Sequence, residues 1–170
     1  MANKLRELML LRHAKTDWKD NDLEDIDRPL SDKGKKNAAK MGKWLKEKNL
    51  MPDLILVSPA VRAQQTLRRI CNECSATAIT VDALYLAELD QLRQVLADAP
   101  HAERIMIIGH NPGLETLFNL LVSETASSHV QLFPTCSLAH FILPNDWKNI
   151  EAGDGKLQQF ITAKEIKSSH

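Results

Sequence analysis

The chain alternates short apolar runs with longer stretches in which apolar residues recur at helical spacing. The main runs lie in Leu8–Leu11, Asp53–Val57 and Arg104–Gly109. Uninterrupted runs of this length are typical of strands that are buried on both faces of a parallel sheet. Apolar residues at helical spacing, such as Ala38 and Leu45, predict a helix in the stretch that follows the first strand.

Residue types at the predicted helix starts support this arrangement. Ser31, Ser58 and Asn111 are candidate N-caps, because their side chains can accept a hydrogen bond from a free backbone N–H. Pro59 and Pro112 follow two of them, and proline is common at the first position of a helix. The sequence therefore predicts that these strands lead into capped helices.

Weaker patterns complete the predicted order of elements. Strands are expected near 79–81, 138–143 and 157–161, with a further helix at 90–98. Strands that alternate with helices favour right-handed crossovers, a mainly parallel sheet and helices on both of its faces. A chain of 170 residues has the length of one domain. We therefore expect an α/β fold with a single-domain, three-layer α/β/α architecture.

Composition narrows the class of protein. Lys and Arg number 22 and Asp and Glu number 22, so no net charge attracts the protein to nucleic acid or to an anionic membrane. No apolar run approaches the roughly 18 residues of a membrane-spanning helix, and the first residues lack an apolar secretory segment. We expect a cytoplasmic protein that binds neither nucleic acid nor a membrane.

The three cysteines do not suggest a disulfide framework. Cys71, Cys74 and Cys136 are an odd number in a chain without a secretory segment, so reduced thiols are expected. Cys71 and Cys74 have C-x-x-C spacing, but no second such pair accompanies them to complete a zinc site.

Cationic and titratable residues gather where the predicted strands end. Ligands of open α/β sheets bind outside the carboxyl ends of the strands. The turns at those ends and the loop after the first strand contain Arg12, His13, Arg28, Arg62 and His110. Guanidinium groups stay charged and match the geometry of phosphoryl oxygens, so the set favours a phosphoryl ligand. Taken singly, each residue is more often a surface group or an ion-pair partner.

An acidic stretch separates two members of this set. Between His13 and Arg28, acidic residues extend from Asp17 to Asp27 with Lys19 as the one basic residue. The stretch is expected to pass the mouth of the anion site, where it would repel polyanions and favour a partner with basic surroundings. The lysine-rich segment 33–48 is interpreted as a solvated helix face.

Four motifs along the chain are similar to those of a known family. They are Leu11–Lys15, Asp27–Leu30 with Gly34, Val57–Thr66 and Ile108–Pro112. In this order and spacing they resemble the histidine phosphatase superfamily, which includes the cofactor-dependent phosphoglycerate mutases. They are most similar to its small SixA-type branch of phosphohistidine phosphatases. The resemblance extends over about residues 7–164 and implies a phosphoglycerate mutase-like fold.

The resemblance implies a role for each residue of the set. His13 matches the nucleophile that becomes a phosphohistidine intermediate, and His110 matches a second imidazole that hydrogen-bonds the transferring group. Arg12, Arg28 and Arg62 match the side chains that hold the phosphoryl oxygens. Neither a metal nor another cofactor is expected, because these guanidinium groups can stabilise the developing charge.

Further residues near the motifs are weaker candidates. Additional hydrogen bonds in the site are expected from Lys15, Thr16, Ser58 and Asn111, with Trp18 at its border. Larger superfamily members use an acidic residue to protonate the leaving oxygen, and Glu88 lies in the corresponding part of this chain. Glu88 is also interpretable as a helix-start residue that the helix dipole favours.

The resemblance implies a protein phosphohistidine phosphatase that acts on a phosphotransfer or phosphocarrier protein. Only 47 residues separate Arg62 from His110, which is too few for a large lid over a small substrate. One alternative is a phosphatase for small phosphomonoesters with Glu88 as its general acid. Another is a non-catalytic module that binds phosphate or phosphohistidine.

Overall fold

A six-stranded sheet lies at the centre of the computed structural model, which describes residues 5–19, 22–123, 132–144 and 146–167. The strand order is β3-β2-β4-β1-β5-β6. The first four strands are parallel, and β5 and β6 are antiparallel additions at one edge. The strands are β1 (Leu5–Arg12), β2 (Leu54–Val57), β3 (Thr77–Thr80), β4 (Arg104–Gly109), β5 (Ser137–Pro144) and β6 (Lys156–Thr162). The predicted mainly parallel sheet is confirmed.

Helices cover both faces of the sheet. They are α1 (Asp32–Glu47), α2 (Val61–Ile70), α3 (Leu89–Asp98) and α4 (Gly113–Val122). Within β1, Leu8 and Leu10 pack on the side of α3 and α4, whereas Met9 and Leu11 pack on the side of α1 and α2. Successive side chains of a strand point to opposite faces, so β1 contributes to both halves of the core. The predicted three-layer α/β/α architecture is therefore confirmed.

The predicted helix starts are correct at one site and wrong at two. Ser31 caps α1 by accepting a hydrogen bond from the backbone N–H of Gly34. The N-cap of α2 is Ala60 and not Ser58, and the N-cap of α4 is Pro112 and not Asn111. The side chain of Ser58 instead bonds His110, which follows β4, and that of Asn111 bonds Glu115 in α4 and the carbonyl oxygen of Phe133.

Gly34 fixes the start of α1 against the segment that follows β1. A Cβ atom at this position would lie 2.1 Å from the carbonyl oxygen of Lys15. The backbone N–H of Ser31 also donates to that oxygen at 2.9 Å. The motif glycine is therefore required by close backbone approach, which holds the loop after β1 beside α1.

The expectation of reduced thiols is wrong for one pair of cysteines. Cys71 and Cys74 are joined by a disulfide just after α2, whereas Cys136 is a buried free thiol. The C-x-x-C spacing brings the pair together locally, so the overall odd number of cysteines was a poor guide here. No helix among the described residues is long and apolar enough to span a membrane.

Candidate active site

Strand pairing brings the two motif histidines together. In the parallel pair β1 and β4, Arg12 lies opposite Gly109, so the chain leaves the sheet at His13 and His110 side by side. Their ring centroids are 5.2 Å apart. Arg62 reaches the same place from the first turn of α2, which follows the neighbouring strand β2. The predicted meeting of strand-end turns is thus present.

The guanidinium of Arg62 connects the two imidazoles. Its Nε donates to His13 Nε2 at 3.3 Å, and its Nη2 donates to His110 Nδ1 at 3.3 Å. All three side chains are buried. Because an arginine can only donate, these contacts require a lone pair on each of the two histidine nitrogens.

The contacts of His13 define its tautomer. Its Nδ1 lies 2.7 Å from the carbonyl oxygen of Ala14, and because a carbonyl can only accept, Nδ1 carries the hydrogen. Nε2 is then the nitrogen whose lone pair accepts the hydrogen bond from Arg62 Nε. Burial, with the nearby charges of Arg62 and Arg12 acting in the same direction, lowers the pKa of His13 to about 4. His13 is therefore neutral near pH 7, and Nε2 is the ring nitrogen that has a lone pair.

His110 has the opposite tautomer. Its Nδ1 accepts from Arg62, so its Nε2 carries the hydrogen and donates to Ser58 Oγ at 2.7 Å. Burial, followed by the proximity of His13 and Arg62, lowers the pKa of His110 to about 3. Ser58 therefore orients His110 and does not cap a helix.

Two further arginines contribute donors to the same site. Arg12 Nη1 donates to the carbonyl oxygen of Phe133 at 3.1 Å, and the Arg28 guanidinium stacks over the Trp18 ring at 4.0 Å. Among the described residues, the buried atoms Arg12 Nε and Arg28 Nη1 have no hydrogen-bond partner. Buried charged donors without a protein partner suit the oxygens of an anionic ligand.

A cleft of about 500 Å³ surrounds these groups. It is lined by Arg12, His13, Lys15, Thr16, Trp18, Asp25, Arg28, Arg62, Leu86, His110, Asn111 and Thr135. The amide of Asn111 donates to Glu115 Oε2 and to the carbonyl oxygen of Phe133, which fixes it at the rim. The cleft therefore contains every sequence-predicted site residue except Ser58, which touches His110 from behind, and Glu88.

Glu88 lies away from this chemistry. It is exposed and forms the N-cap of α3 in a reciprocal capping box with Gln91. Leu86, two residues earlier, is the residue of this segment that lines the cleft. The prediction that Glu88 protonates a leaving group is not supported by its position, and its helix-start interpretation is confirmed.

Three residues near the site were missed as functional candidates: Thr66, Asp25 and Tyr85. Thr66 Oγ1 donates to the Arg62 carbonyl oxygen at 2.7 Å and accepts from the Ala14 backbone N–H at 3.0 Å. Asp25 bonds Arg62 and Tyr85 through its carboxylate. The acidic stretch between His13 and Arg28 was the available signal for Asp25, which is the acid of that stretch that lines the cleft among the described residues. Asp20 lies outside the described residues.

Comparison with known proteins identifies the family. The family model described as histidine phosphatase superfamily (branch 1) matches residues 8–91. An uncharacterised chloroplastic protein of Arabidopsis thaliana is 32% identical over 163 residues, which cover 88% of this chain and 72% of that protein.

The chain belongs to the histidine phosphatase superfamily. Its fold matches the structure of SixA from Nakamurella multipartitia with a TM-score of 0.81 and 25% identity, over 93% of this chain and 96% of that chain. SixA from Agrobacterium tumefaciens matches with a TM-score of 0.77 and 26% identity, over 92% and 97% of the two chains. Both proteins are assigned as phosphohistidine phosphatases. This histidine phosphatase therefore has the SixA-type, phosphoglycerate mutase-like fold, and it is a phosphatase.

Proposed function

We propose that this phosphatase hydrolyses phosphohistidine on a phosphotransfer or phosphocarrier protein, with His13 as its nucleophile. The observation that carries the proposal is the tautomer of His13, which lines the cleft, is neutral and holds its hydrogen on Nδ1. The lone pair is therefore on Nε2, where it accepts from Arg62 Nε. A module that only binds phosphate needs the guanidinium groups but no such nucleophile.

In the first step, the Nε2 lone pair of His13 forms a bond to phosphorus while the bond to the substrate's ring nitrogen breaks. The substrate ring carries a hydrogen, taken from solvent, on its other nitrogen. The electron pair of the broken bond therefore returns to the ring, which departs as neutral imidazole. Arg12, Arg28 and Arg62 line the same cleft, and their guanidinium groups would stabilise charge on the phosphoryl oxygens throughout the displacement.

In the second step, water attacks phosphorus and the bond to Nε2 breaks, which releases inorganic phosphate. The hydrogen on Nδ1 remains bonded to the Ala14 carbonyl oxygen, so the phosphorylated ring of His13 is a cation. A cationic ring is a good leaving group, because it departs as neutral imidazole without a further proton.

The choice of a phosphoramidate substrate over an ester is supported by the position of Glu88. An alkoxide leaving group requires a proton donor, and the acid that the ester hypothesis invoked caps α3. The similarity to two proteins assigned as phosphohistidine phosphatases supports the same substrate class.

The proposal is tested by trapping the intermediate and comparing substrates. The wild-type protein is expected to hydrolyse a histidine-phosphorylated peptide and to form an acid-labile phosphoenzyme. His13→Ala is expected to lose the phosphoenzyme and about a thousandfold or more of kcat/KM, whereas His101→Ala, which changes an exposed histidine, retains both. Undiminished hydrolysis by His13→Ala contradicts the mechanism, and hydrolysis of esters alone contradicts the substrate.

A further inference from the structure

Asp25 lines the cleft, and its carboxylate is bonded to Arg62, the residue that contacts the proposed nucleophile His13. Arg62 Nη2 donates to Asp25 Oδ2 at 3.0 Å, and Tyr85 Oη donates to the same oxygen at 2.5 Å. Arg62 Nη1 also donates to the Asp25 backbone carbonyl oxygen at 2.6 Å. One guanidinium thus contacts His13 Nε2 through its Nε and the Asp25 carboxylate through its other end.

Asp25 is a negative charge in a site built for an anion. The hydrogen bond from Tyr85, together with that from Arg62, holds the pKa of Asp25 below its ordinary value, so the carboxylate is ionised near pH 7. An ionised carboxylate repels phosphoryl oxygens at close range unless a hydrogen-bond donor lies between them. Its side chain is 48% exposed, so it remains accessible to a group that enters the cleft.

We propose that Asp25 selects phosphohistidine over phosphate esters by accepting a hydrogen bond from the free ring N–H of the substrate imidazole. This inference rests on the proposed function and names the residue that recognises its leaving group. A phosphoryl group held by Arg62 would have His13 at the Nε end of the guanidinium and Asp25 at the Nη2 end. An in-line displacement places the leaving group opposite the nucleophile, which is the side of Asp25.

The step balances without any proton transfer to or from Asp25. The substrate ring enters with phosphorus on one nitrogen and a hydrogen, taken from solvent, on the other. When the P–N bond breaks, its electron pair returns to the ring, which departs as neutral imidazole with its N–H still bonded to Asp25. Asp25 would do for the substrate ring what the Ala14 carbonyl oxygen does for Nδ1 of His13.

The leaving group of a phosphate ester has no ring N–H that could donate a hydrogen bond to Asp25. Its leaving oxygen carries lone pairs and acquires negative charge as the P–O bond breaks, so an ionised carboxylate beside it is unfavourable. An ionised carboxylate also has no proton to give to an alkoxide. The Asp25 carboxylate would therefore favour phosphohistidine and disfavour phosphate esters.

The test compares two substrates across matched variants. Asp25→Asn is measured against Asp27→Asn, which removes the same charge from an exposed position in the same turn. The substrates are a histidine-phosphorylated peptide and p-nitrophenyl phosphate, whose phenolate leaves without an acid. For Asp25→Asn, we expect kcat/KM to fall by about tenfold or more on the peptide and to stay unchanged or rise on the ester. Asp27→Asn is expected to leave the ratio of the two rates unchanged.

Each other outcome overturns the inference. An equal fall on both substrates means that Asp25 only positions Arg62 or supports the fold, and an equal rise means that it only repels phosphate. Asp25→Glu, which keeps the carboxylate, is expected to recover part of the peptide activity. If the wild-type protein hydrolyses the ester and not the peptide, the proposed function fails and the inference fails with it. If the wild type hydrolyses the peptide and the Asp25→Asn ratio is unchanged, the inference alone fails.

Discussion

Ser58 Oγ accepts the N–H of His110 Nε2 at 2.7 Å, and both side chains are buried. The hydroxyl also accepts the backbone N–H of Ala60 at 3.2 Å, so its position is fixed by the start of α2. Through this contact, the turn after β2 sets the ring orientation and the tautomer of the histidine that follows β4. A buried hydrogen bond thus joins two of the turns that form the cleft.

Replacing Ser58 by Ala is expected to reduce both stability and activity. The change leaves the His110 N–H buried without an acceptor, which costs about 1–3 kcal/mol of the free energy of unfolding. Without Ser58, no acceptor holds the hydrogen on Nε2 of His110, so Nδ1 is no longer kept available to accept from Arg62. We therefore expect kcat/KM to fall by about tenfold. Urea unfolding and steady-state kinetics on the histidine-phosphorylated peptide measure the two effects.

Ser137→Ala is the matched control for this change. Ser137 is equally buried in β5, but its Oγ has no hydrogen-bond partner among the described residues. Its replacement is expected to change neither stability nor activity by a comparable amount. Equal effects of the two substitutions would show that burial of a serine, and not the bond to His110, governs the result.

Trp18 is expected to affect substrate binding through Arg28. The Trp18 ring is 64% exposed, and the Arg28 guanidinium lies 4.0 Å from its centroid. Trp18→Leu removes this cation–π contact, which is worth about 0.5–1 kcal/mol at exposed sites, so KM should rise about two- to fivefold with kcat little changed. Trp18→Phe retains an aromatic face and should have a smaller effect. A fall in kcat with constant KM would contradict this role.

Protein stability is expected to fall as the pH is lowered from about 6.5 to 4. His13 has a folded-state pKa of about 4 against an ordinary value of 6.5, so in this range the unfolded chain binds a proton that the folded protein does not. Stability therefore rises with pH across the range and is lost on acidification. His110 acts in the same direction, because its pKa is about 3.

His13→Asn should weaken this pH dependence. The asparagine removes one titrating group while its amide can still donate to the Ala14 carbonyl oxygen. Urea unfolding at pH 7 and pH 5 is expected to show a smaller loss of free energy of unfolding than in the wild type. His101→Asn, at an exposed position, should behave like the wild type. An unchanged loss in His13→Asn would mean that other groups cause the acid sensitivity.

Local chemistry explains why much of this protein was predictable. Apolar runs and helical periodicity predicted the elements, because each must bury a face whose spacing is visible in the chain. Arg12, His13, Arg62 and His110 were identified because a parallel sheet brings the ends of its strands to one edge. The spacing of the motifs was also enough for the family assignment.

The tertiary structure alone decided what these residues do to one another. The uses of Ser58 and Asn111 depend on neighbours that lie far away in sequence, and both residues have typical capping side chains, so local preference suggested the wrong partner. In the sequence, Asp25 is one of several acidic residues, and only the folded structure shows that its carboxylate bonds Arg62. Hydrogen bonds form between atoms that packing brings within about 3 Å, and residue type restricts such pairs without choosing among them.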